Sequence, residues 1–587
     1  MFKMLRYLRP YYLQAIVLVV SVGLQAYGVL RLPTLMSQIV NDGVMANNGA
    51  GDMGFIIFTG ARMLVWTLIS ALGALSSSYF SAKLGAAIGR DIRDEMFKKI
   101  LSFSISEIDN FSTASLITRT TNDISTVQQT LVMMLSMMLR APIMAIGAIF
   151  EAVQLAPDMT WIIALSVTVL LVLIITILSI VMPKFMLYQK LIDKVNLLTR
   201  ENLTGLRVIR AFNNEDYEAR KFDKTNTKIR KTDFFIGTVM GLESPLMMFI
   251  FNGTSLLCIW IGVTLLEADG TYLGKMMAFM QYATQVIMSF LFLAVLFVMV
   301  PRASVSAKRI EEVLGTKPKI VWKKQGGGDR VSAPSVEFKN VSFKYAGADD
   351  EVLSNVSFVA KAGETTAFIG STGSGKSTLI NLIPRFYDVT EGAVLVDGID
   401  IREYSAKGLM KKIGYVPQKG FLFSGTVKSN ILFGVDVEDE KRMKEAAEIA
   451  QASEFISKLP DKFDAKIVEA GTNVSGGQRQ RLSIARVVAK NPEIYIFDDA
   501  FSALDMKTDK KLREALKPVT KNSVTLIVAQ RVSTIRDAEQ IVVLDKGKVV
   551  GKGKHKDLIR DCKAYQEICE SQLSEEEYRK ELEDARA

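Results

Sequence analysis

The sequence predicts a helical membrane domain of six spans fused to a C-terminal α/β domain of the phosphate-loop class. Three observations lead there. The first half is apolar and breaks into runs of membrane-spanning length, basic residues are confined to alternate connectors, and one phosphate-loop motif sits in strand–loop–helix context. The 587 residues are enough for two or more domains, and 49% are hydrophobic, high for a water-soluble chain of this size. The long apolar runs end near Val300, and from about Lys308 the composition is that of a soluble α/β domain.

In chain order, residues 1–12 form a short basic amphipathic segment, expected to lie as an elbow helix on the membrane surface and not to be a cleaved signal. A spanning helix needs roughly 20 mostly apolar residues. Six runs qualify, at about 13–36, 55–79, 131–150, 160–182, 236–266 and 273–300. Lys and Arg gather at Lys3, Arg6 and Arg9 and in the stretches 83–127 and 184–233. They are missing from Gln38–Asp52, Glu151–Asp158 and Glu267–Tyr272. The positive-inside rule then makes the N-terminus and the C-terminal domain cytoplasmic, in a multi-pass protein of the cell membrane. The net charge of +10 is accounted for by this topology, and nucleic acid is not expected as a partner.

The two long basic stretches contain few Gly or Pro residues and keep helical apolar spacing, as at Ile88, Ile92, Met96 and Ile100. They are expected to be helices continuing beyond the bilayer and meeting at turns near Ser104–Ser112 and Arg207–Tyr217, placed to press on a cytoplasmic partner domain. Ionisable groups in or near the spans are Arg62, Arg140, Glu243 and Lys275. Arg62 and Lys275 lie close enough to span ends to snorkel, and Glu243, followed by Pro245, is the pathway candidate. Methionines cluster at 133–138 and 276–280, where helix packing explains them at least as well as a substrate surface. Cys258, Cys562 and Cys569 form neither a disulfide framework nor a metal cluster, and Cys258 reads as a small hydrophobe.

The strongest motif follows the apolar strand around Ala367–Ile369: Gly370, Ser371, Thr372, Gly373, Ser374, Gly375, Lys376 and Ser377, then a helix from Thr378. Its glycines let backbone N–H groups wrap phosphates, Lys376 supplies charge to the β and γ groups, and the Ser377 hydroxyl faces Mg²⁺. A second apolar strand, Ile494–Phe497, ends in Asp498, where this fold holds the Mg²⁺ hydration shell.

Between these motifs stands Val474-Ser475-Gly476-Gly477-Gln478, and here the chain resembles the ATP-binding cassette (ABC) family, whose signature is LSGGQ. The resemblance covers the whole chain and its motifs come in the family's order. It implies the type IV ABC exporter fold, ATP and Mg²⁺ as ligands, Tyr345 stacking on adenine, and Gln418 sensing Mg²⁺ and the membrane domain. Glu469 matches the exporter-specific loop and Ser502–Asp505 the D-loop. The implied domains are an elbow at 1–12, a membrane domain at 13–307, a linker at 308–334, a nucleotide domain at 335–570 and a solvated charged helix at 571–587.

Two positions depart from the family. Asp499 stands where exporters carry the Glu that polarises the attacking water, and Gln530 stands where the switch loop carries His. The chain's 1 His is His555, further downstream. Gln530 can donate a hydrogen bond but cannot become cationic. The chain therefore resembles the degenerate-site subunit of a heterodimeric multidrug ABC exporter. Its own site would hold ATP and hydrolyse it poorly. Ser475, Gly476, Gly477 and Gln478 would serve the ATP of a second half-transporter, and an amphipathic, drug-like small molecule would be the cargo. The alternatives are a homodimeric, slow lipid or drug exporter and an ATP-gated regulator.

Overall fold

The computed structural model describes residues 2–46, 51–266, 272–324, 333–435 and 439–586. Residues 47–50 and 267–271 of two expected outer connectors, and 325–332 of the expected linker, lie outside the described residues. The chain divides into two compact units: Met1–Leu101 with Thr113–Thr316, and Ser102–Ser112 with Lys317–Ala587.

In the first unit, six helices are long and apolar enough to cross a membrane: Lys3–Val44, Met53–Leu101, Thr113–Leu155, Pro157–Thr204, Glu215–Leu266 and Tyr272–Leu293. They overlap all six expected spans. The uninterrupted α-helices Met53–Leu101 and Thr160–Thr204 each run about 70 Å at 1.5 Å per residue, about twice a hydrocarbon core of about 30 Å. The expected extensions are thus continuous with the spans. The elbow, Phe2–Tyr11, is a 3-10 helix.

Small residues set the packing of the first two helices. A Cβ on Gly73 would stand 2.9 Å from the Gln25 nitrogen and the Ser21 carbonyl, so only glycine permits that approach. Buried Tyr282 bonds the Thr34 hydroxyl at 2.6 Å and the Leu30 carbonyl at 2.7 Å. Cys258 is fully buried among apolar neighbours, as expected of a small hydrophobe. Arg62 is exposed and Lys275 lies 5.1 Å from the Tyr272 ring, at the end of its helix. Single π-helical turns interrupt the bundle at Ile39–Val44, Arg119–Asp123 and Met134–Met138. The second expected turn is the helix Leu206–Ala211, followed by Glu215–Gly241, and it leaves Val208, Phe212 and Tyr217 exposed.

The second unit is built on a sheet of six strands. Five are parallel, side by side in the order Gln540–Asp545, Thr365–Gly370, Val524–Val528, Ile494–Asp498 and Ile413–Val416, with Lys548–Gly553 antiparallel at one edge. Ile494–Asp498 and Val524–Val528 are buried throughout, which is why they read as unbroken apolar runs. An antiparallel sheet containing Ser335–Phe343, Leu353–Lys361 and Glu391–Val396 packs a second core.

The first cytoplasmic turn, Ile105–Phe111, belongs to this unit. Glu107 is buried and accepts hydrogen bonds from the Ser104 amide (2.8 Å), the Ser104 hydroxyl (2.7 Å) and the Lys319 amide (3.4 Å). Lys319 Nζ also donates to the Ser106 hydroxyl.

The tail corrects the expectation of a solvated helix over 571–587. It is split into Lys563–Gln572 and Glu575–Arg586, and the second helix is docked. Tyr578, Glu581, Leu582 and Ala585 fall on one face at helical spacing and turn inward. Glu581 lies 2.7 Å from His555 Nε2 and 2.6 Å from Arg536 Nη1, while His555 Nδ1 lies 2.7 Å from the Tyr565 hydroxyl. The dense surface charge masks this stripe in the sequence.

Candidate nucleotide site

Four neighbouring parallel strands end on the same edge of the sheet, and each delivers a site residue there. Thr365–Gly370 runs into the phosphate loop, Val524–Val528 leads to Gln530, Ile494–Asp498 ends in Asp498 and Asp499, and Ile413–Val416 leads to Gln418. The crevice beyond the carboxyl ends of such strands is where α/β sheets bind ligands. A cavity of about 750 Å³ opens there, of mononucleotide size. Gly370, Ser371, Thr372, Gly373 and Gly375–Thr378 line it, with Gln418 and Gln530 opposite; Ser374 is buried beneath the loop.

Two glycines are demanded by the backbone. A Cβ on Gly370 would run into the Leu544 carbonyl, and Gly375 adopts φ +96°, in the left-handed region, as the cap of helix Lys376–Leu382. Lys376 Nζ curls over the loop, donating to the carbonyls of Gly370 (2.8 Å) and Ser371 (2.7 Å) and to Ser374 Oγ (3.3 Å). Burial lowers its pKa below the usual lysine value, while Asp499 and Asp498 work the other way.

The Ser377 hydroxyl donates to Asp498 Oδ1 at 3.1 Å, and the Tyr415 hydroxyl approaches Asp498 Oδ2 at 3.4 Å. Burial raises the Asp498 pKa, against the hydrogen bond from Ser377. Ser377, Asp498 and Gln418 offer only oxygen donors toward a metal, the set a hard divalent cation prefers, so the residues fit Mg²⁺.

The two departures are joined to each other. Asp499 Oδ2 accepts Gln530 Nε2 at 2.7 Å and Gln418 Nε2 at 3.2 Å. Asp499 has φ +48°, a left-handed conformation that Asp tolerates better than most residues. Its carboxyl pKa is raised by burial, with the hydrogen bonds from Gln418, Ser502 and Gln530 opposing.

Tyr345 lines a neighbouring cavity of about 400 Å³, and its hydroxyl lies 3.0 Å from Thr378 Oγ1. Tyr387 stands edge-on to it at 5.3 Å and reaches toward Asp109 of the cytoplasmic turn at 3.5 Å. The signature is set apart from both cavities: Ser475 caps the helix Gly476–Lys490 in a reciprocal box with Gln478, at 3.2 and 2.9 Å. Gly476 faces open space, and Gly477 lies beside the Ala503 carbonyl of the Ser502–Asp505 turn.

Sequence reasoning missed Gln572. It lines the phosphate cavity, accepts the Val532 amide at 2.9 Å and donates to the Gln530 carbonyl at 2.7 Å, so it grips the switch loop on both sides. No spacing rule joins these segments, and only the fold brings them together. Glu243, the expected pathway residue, begins the helix Glu243–Leu266 and is not among the residues lining a described cavity; Arg140 lines one.

A phosphate-loop domain fused to a six-span helical membrane unit defines a nucleotide-driven membrane transporter. Residues 16–290 match the ABC transporter transmembrane region and residues 353–502 the ABC transporter domain. An uncharacterized ABC transporter ATP-binding protein of Mycobacterium tuberculosis is 40% identical over 576 residues, spanning 97% of either chain. An ATP-dependent lipid A-core flippase of Syntrophus aciditrophicus is 33% identical over 539 residues, 89% of this chain and 88% of that one. The structure of a bacterial Atm1-family ABC exporter with ATP bound superimposes with TM-score 0.78 at 25% identity, covering 97% of this chain and 100% of that one. The chain belongs to the ABC transporter family. It is an ATP-driven exporter with a type IV membrane domain, a multi-pass membrane protein whose nucleotide-binding domain is cytoplasmic.

Proposed function

We propose that the chain is one subunit of a heterodimeric ABC exporter, binding ATP in a site that hydrolyses it slowly and lending its signature to the partner's faster site. The observation that carries this is the shared hydrogen-bond centre at Asp499 Oδ2, which ties down both Gln530 and Gln418. A carboxylate one methylene shorter than Glu, fastened to two amides, is poorly placed to polarise a water. Gln530, already donating to it, is neutral and has no charge to offer the γ-phosphate.

In this reading the 370–377 backbone and Lys376 bind the phosphates, Tyr345 stacks on the base, and Ser377, Asp498 and Gln418 hold Mg²⁺. When bound, Mg²⁺ would neutralise charge on the β and γ phosphates. Lys376 must leave the loop carbonyls for the phosphates, so loading ATP reorganises the loop. Ser475–Gln478 present a capped helix N-terminus to the partner's ATP. ATP-driven closure passes through the turns at 104–112 and 207–217, and hydrolysis at the partner's site resets the pump. The exposed Val208, Phe212 and Tyr217 support a docking role for the second turn, because apolar tips in a cytoplasmic segment call for a covering surface. The cargo is an amphipathic small molecule. The likeness to a lipid A-core flippase favours a lipid-like cargo as the second reading, with two copies of this chain forming the exporter.

The test is ATP hydrolysis by the chain alone and with a co-purified partner. Weak activity alone and strong activity with the partner, tolerant of Lys376→Ala but not of losing the partner's catalytic Glu, is the expected result. Brisk hydrolysis by the chain alone would overturn the reading.

A further inference from the structure

Within the membrane unit lies a cavity of about 330 Å³. Met137, Met144, Met288 and Phe292 form its apolar wall, and Arg140 and Gln285 face the same space. At 1.5 Å rise per residue, Arg140 is about 22 Å from Leu155 and Gln285 about 20 Å from Tyr272, the outer ends of their helices. With the expected spans bounded on the outer side at 150 and 273, Arg140 and Gln285 lie about 15 and 18 Å deep, near the middle of a hydrocarbon core about 30 Å thick.

At that depth Arg140 is exposed without a protein partner among the described residues, and Gln285 keeps an unsatisfied oxygen. Among the described residues no hydrogen bond or ion pair reaches the Arg140 guanidinium, and no carboxylate lines the cavity. Gln285 Oε1 is buried and accepts no hydrogen bond. The other hydroxyls in the wall are engaged with their own helices, Thr284 with the Met280 carbonyl at 2.9 Å and Ser289 with the Gln285 carbonyl at 2.7 Å. The backbone is also irregular here, with the π-helical turn Met134–Met138 before Arg140 and Pro142 after it. Such turns recur at functional sites, and an unpaired intramembrane charge is too costly to be incidental.

We propose that this cavity is the headgroup site for the cargo and that it takes amphipathic anions. The inference rests on the exporter reading above and narrows its substrate class. A guanidinium grips phosphate, sulfate or carboxylate through paired N–H groups. The Gln285 amide, free to turn either edge, adds an N–H to an acid oxygen or accepts a ligand hydroxyl. The thioether and phenyl wall accepts the apolar part without demanding one shape.

An acidic phospholipid of the bilayer and a soluble amphiphile both carry such an acid, and the experiment separates them. The assembled transporter is placed in phosphatidylcholine nanodiscs, and binding of radiolabelled dodecyl phosphate is compared with that of dodecyltrimethylammonium, its cationic match. The phosphate should bind about tenfold tighter or more, Arg140→Ala should remove about tenfold or more, and Arg140→Lys should remove less than Ala does. Gln285→Leu, which also serves if Arg140→Ala fails to assemble, should weaken binding about threefold. Competition by phosphatidylglycerol would support a lipid acid, and its absence with binding retained a soluble one. Equal affinity for the two amphiphiles, or unchanged phosphate binding in both Arg140→Ala and Gln285→Leu, overturns the proposal. ATP binding in the same samples reports separately on the exporter reading.

Discussion

Lengthening one side chain should quicken hydrolysis at the site proposed to be slow. Asp499 Oδ2 is held 2.7 Å from Gln530 Nε2 and 3.2 Å from Gln418 Nε2, on a backbone fixed at φ +48°. Glu at this position moves the carboxylate outward by about 1.5 Å, one carbon–carbon bond. A misplacement of about 1 Å in an attacking geometry costs about 100-fold, so Asp499→Glu with Gln530→His should recover up to about 100-fold in hydrolysis, or about 2.7 kcal/mol. Asp499→Glu alone should recover about tenfold, since Gln530 still lacks a positive charge for the γ-phosphate. The assay is single-turnover hydrolysis in the assembled transporter, with the partner's own phosphate loop disabled. ATP affinity is measured alongside. If the double substitution leaves the rate unchanged while ATP binds normally, slow chemistry here does not arise from Asp499 and Gln530, and the asymmetric mechanism loses its basis.

Other contacts lead to further expected outcomes. Gln572→Ala should free the switch loop, lowering protection of the Val532 amide in hydrogen exchange by about fivefold, one net hydrogen bond of about 1 kcal/mol. Glu581→Ala should loosen the tail helix at a cost of about 2 kcal/mol and leave Arg536 and His555 without their shared carboxylate, which thermal unfolding would register. Phe212→Asp should impair assembly or coupling while ATP binding to this chain persists. Unaltered transport would remove Phe212 from any interface. Because burial holds the Lys376 pKa below the ordinary lysine value, its charge in the empty site should fade at lower pH than an exposed lysine's. ATP affinity should fall with rising pH over that range in wild type, and the fall should be absent in Lys376→Arg.

How much was legible in the sequence depended on the range of the interaction. Span lengths and connector charges are local quantities, and all six helices fall on the expected runs. The site residues follow strand ends, so a motif and an apolar run locate each one, and the parallel sheet aligns them. Partnership was not legible. That Gln530 is bonded to Asp499, or that Gln572 holds the Gln530 loop, depends on strand order and helix docking, which no spacing encodes. The tail was misread because its inward face, Tyr578, Glu581, Leu582 and Ala585, includes a carboxylate, and an acidic residue ordinarily signals solvent. Among intramembrane charges, Glu243 is marked in the sequence by Pro245, whereas the setting of Arg140 emerges only when distant helices share a cavity.

Residues 102–112 group with the nucleotide-binding unit although the chain reaches them long before the rest of it. A soluble fragment beginning at Lys317 would therefore lack a native wall. It would strip Lys319 of its Glu107 and Ser106 partners, and Tyr387, neighbour of Tyr345, of Asp109. Nucleotide affinities taken on such a fragment would describe an aromatic pair resting on solvent. Supplying the peptide 102–112 in trans would be the simplest way to restore the missing side.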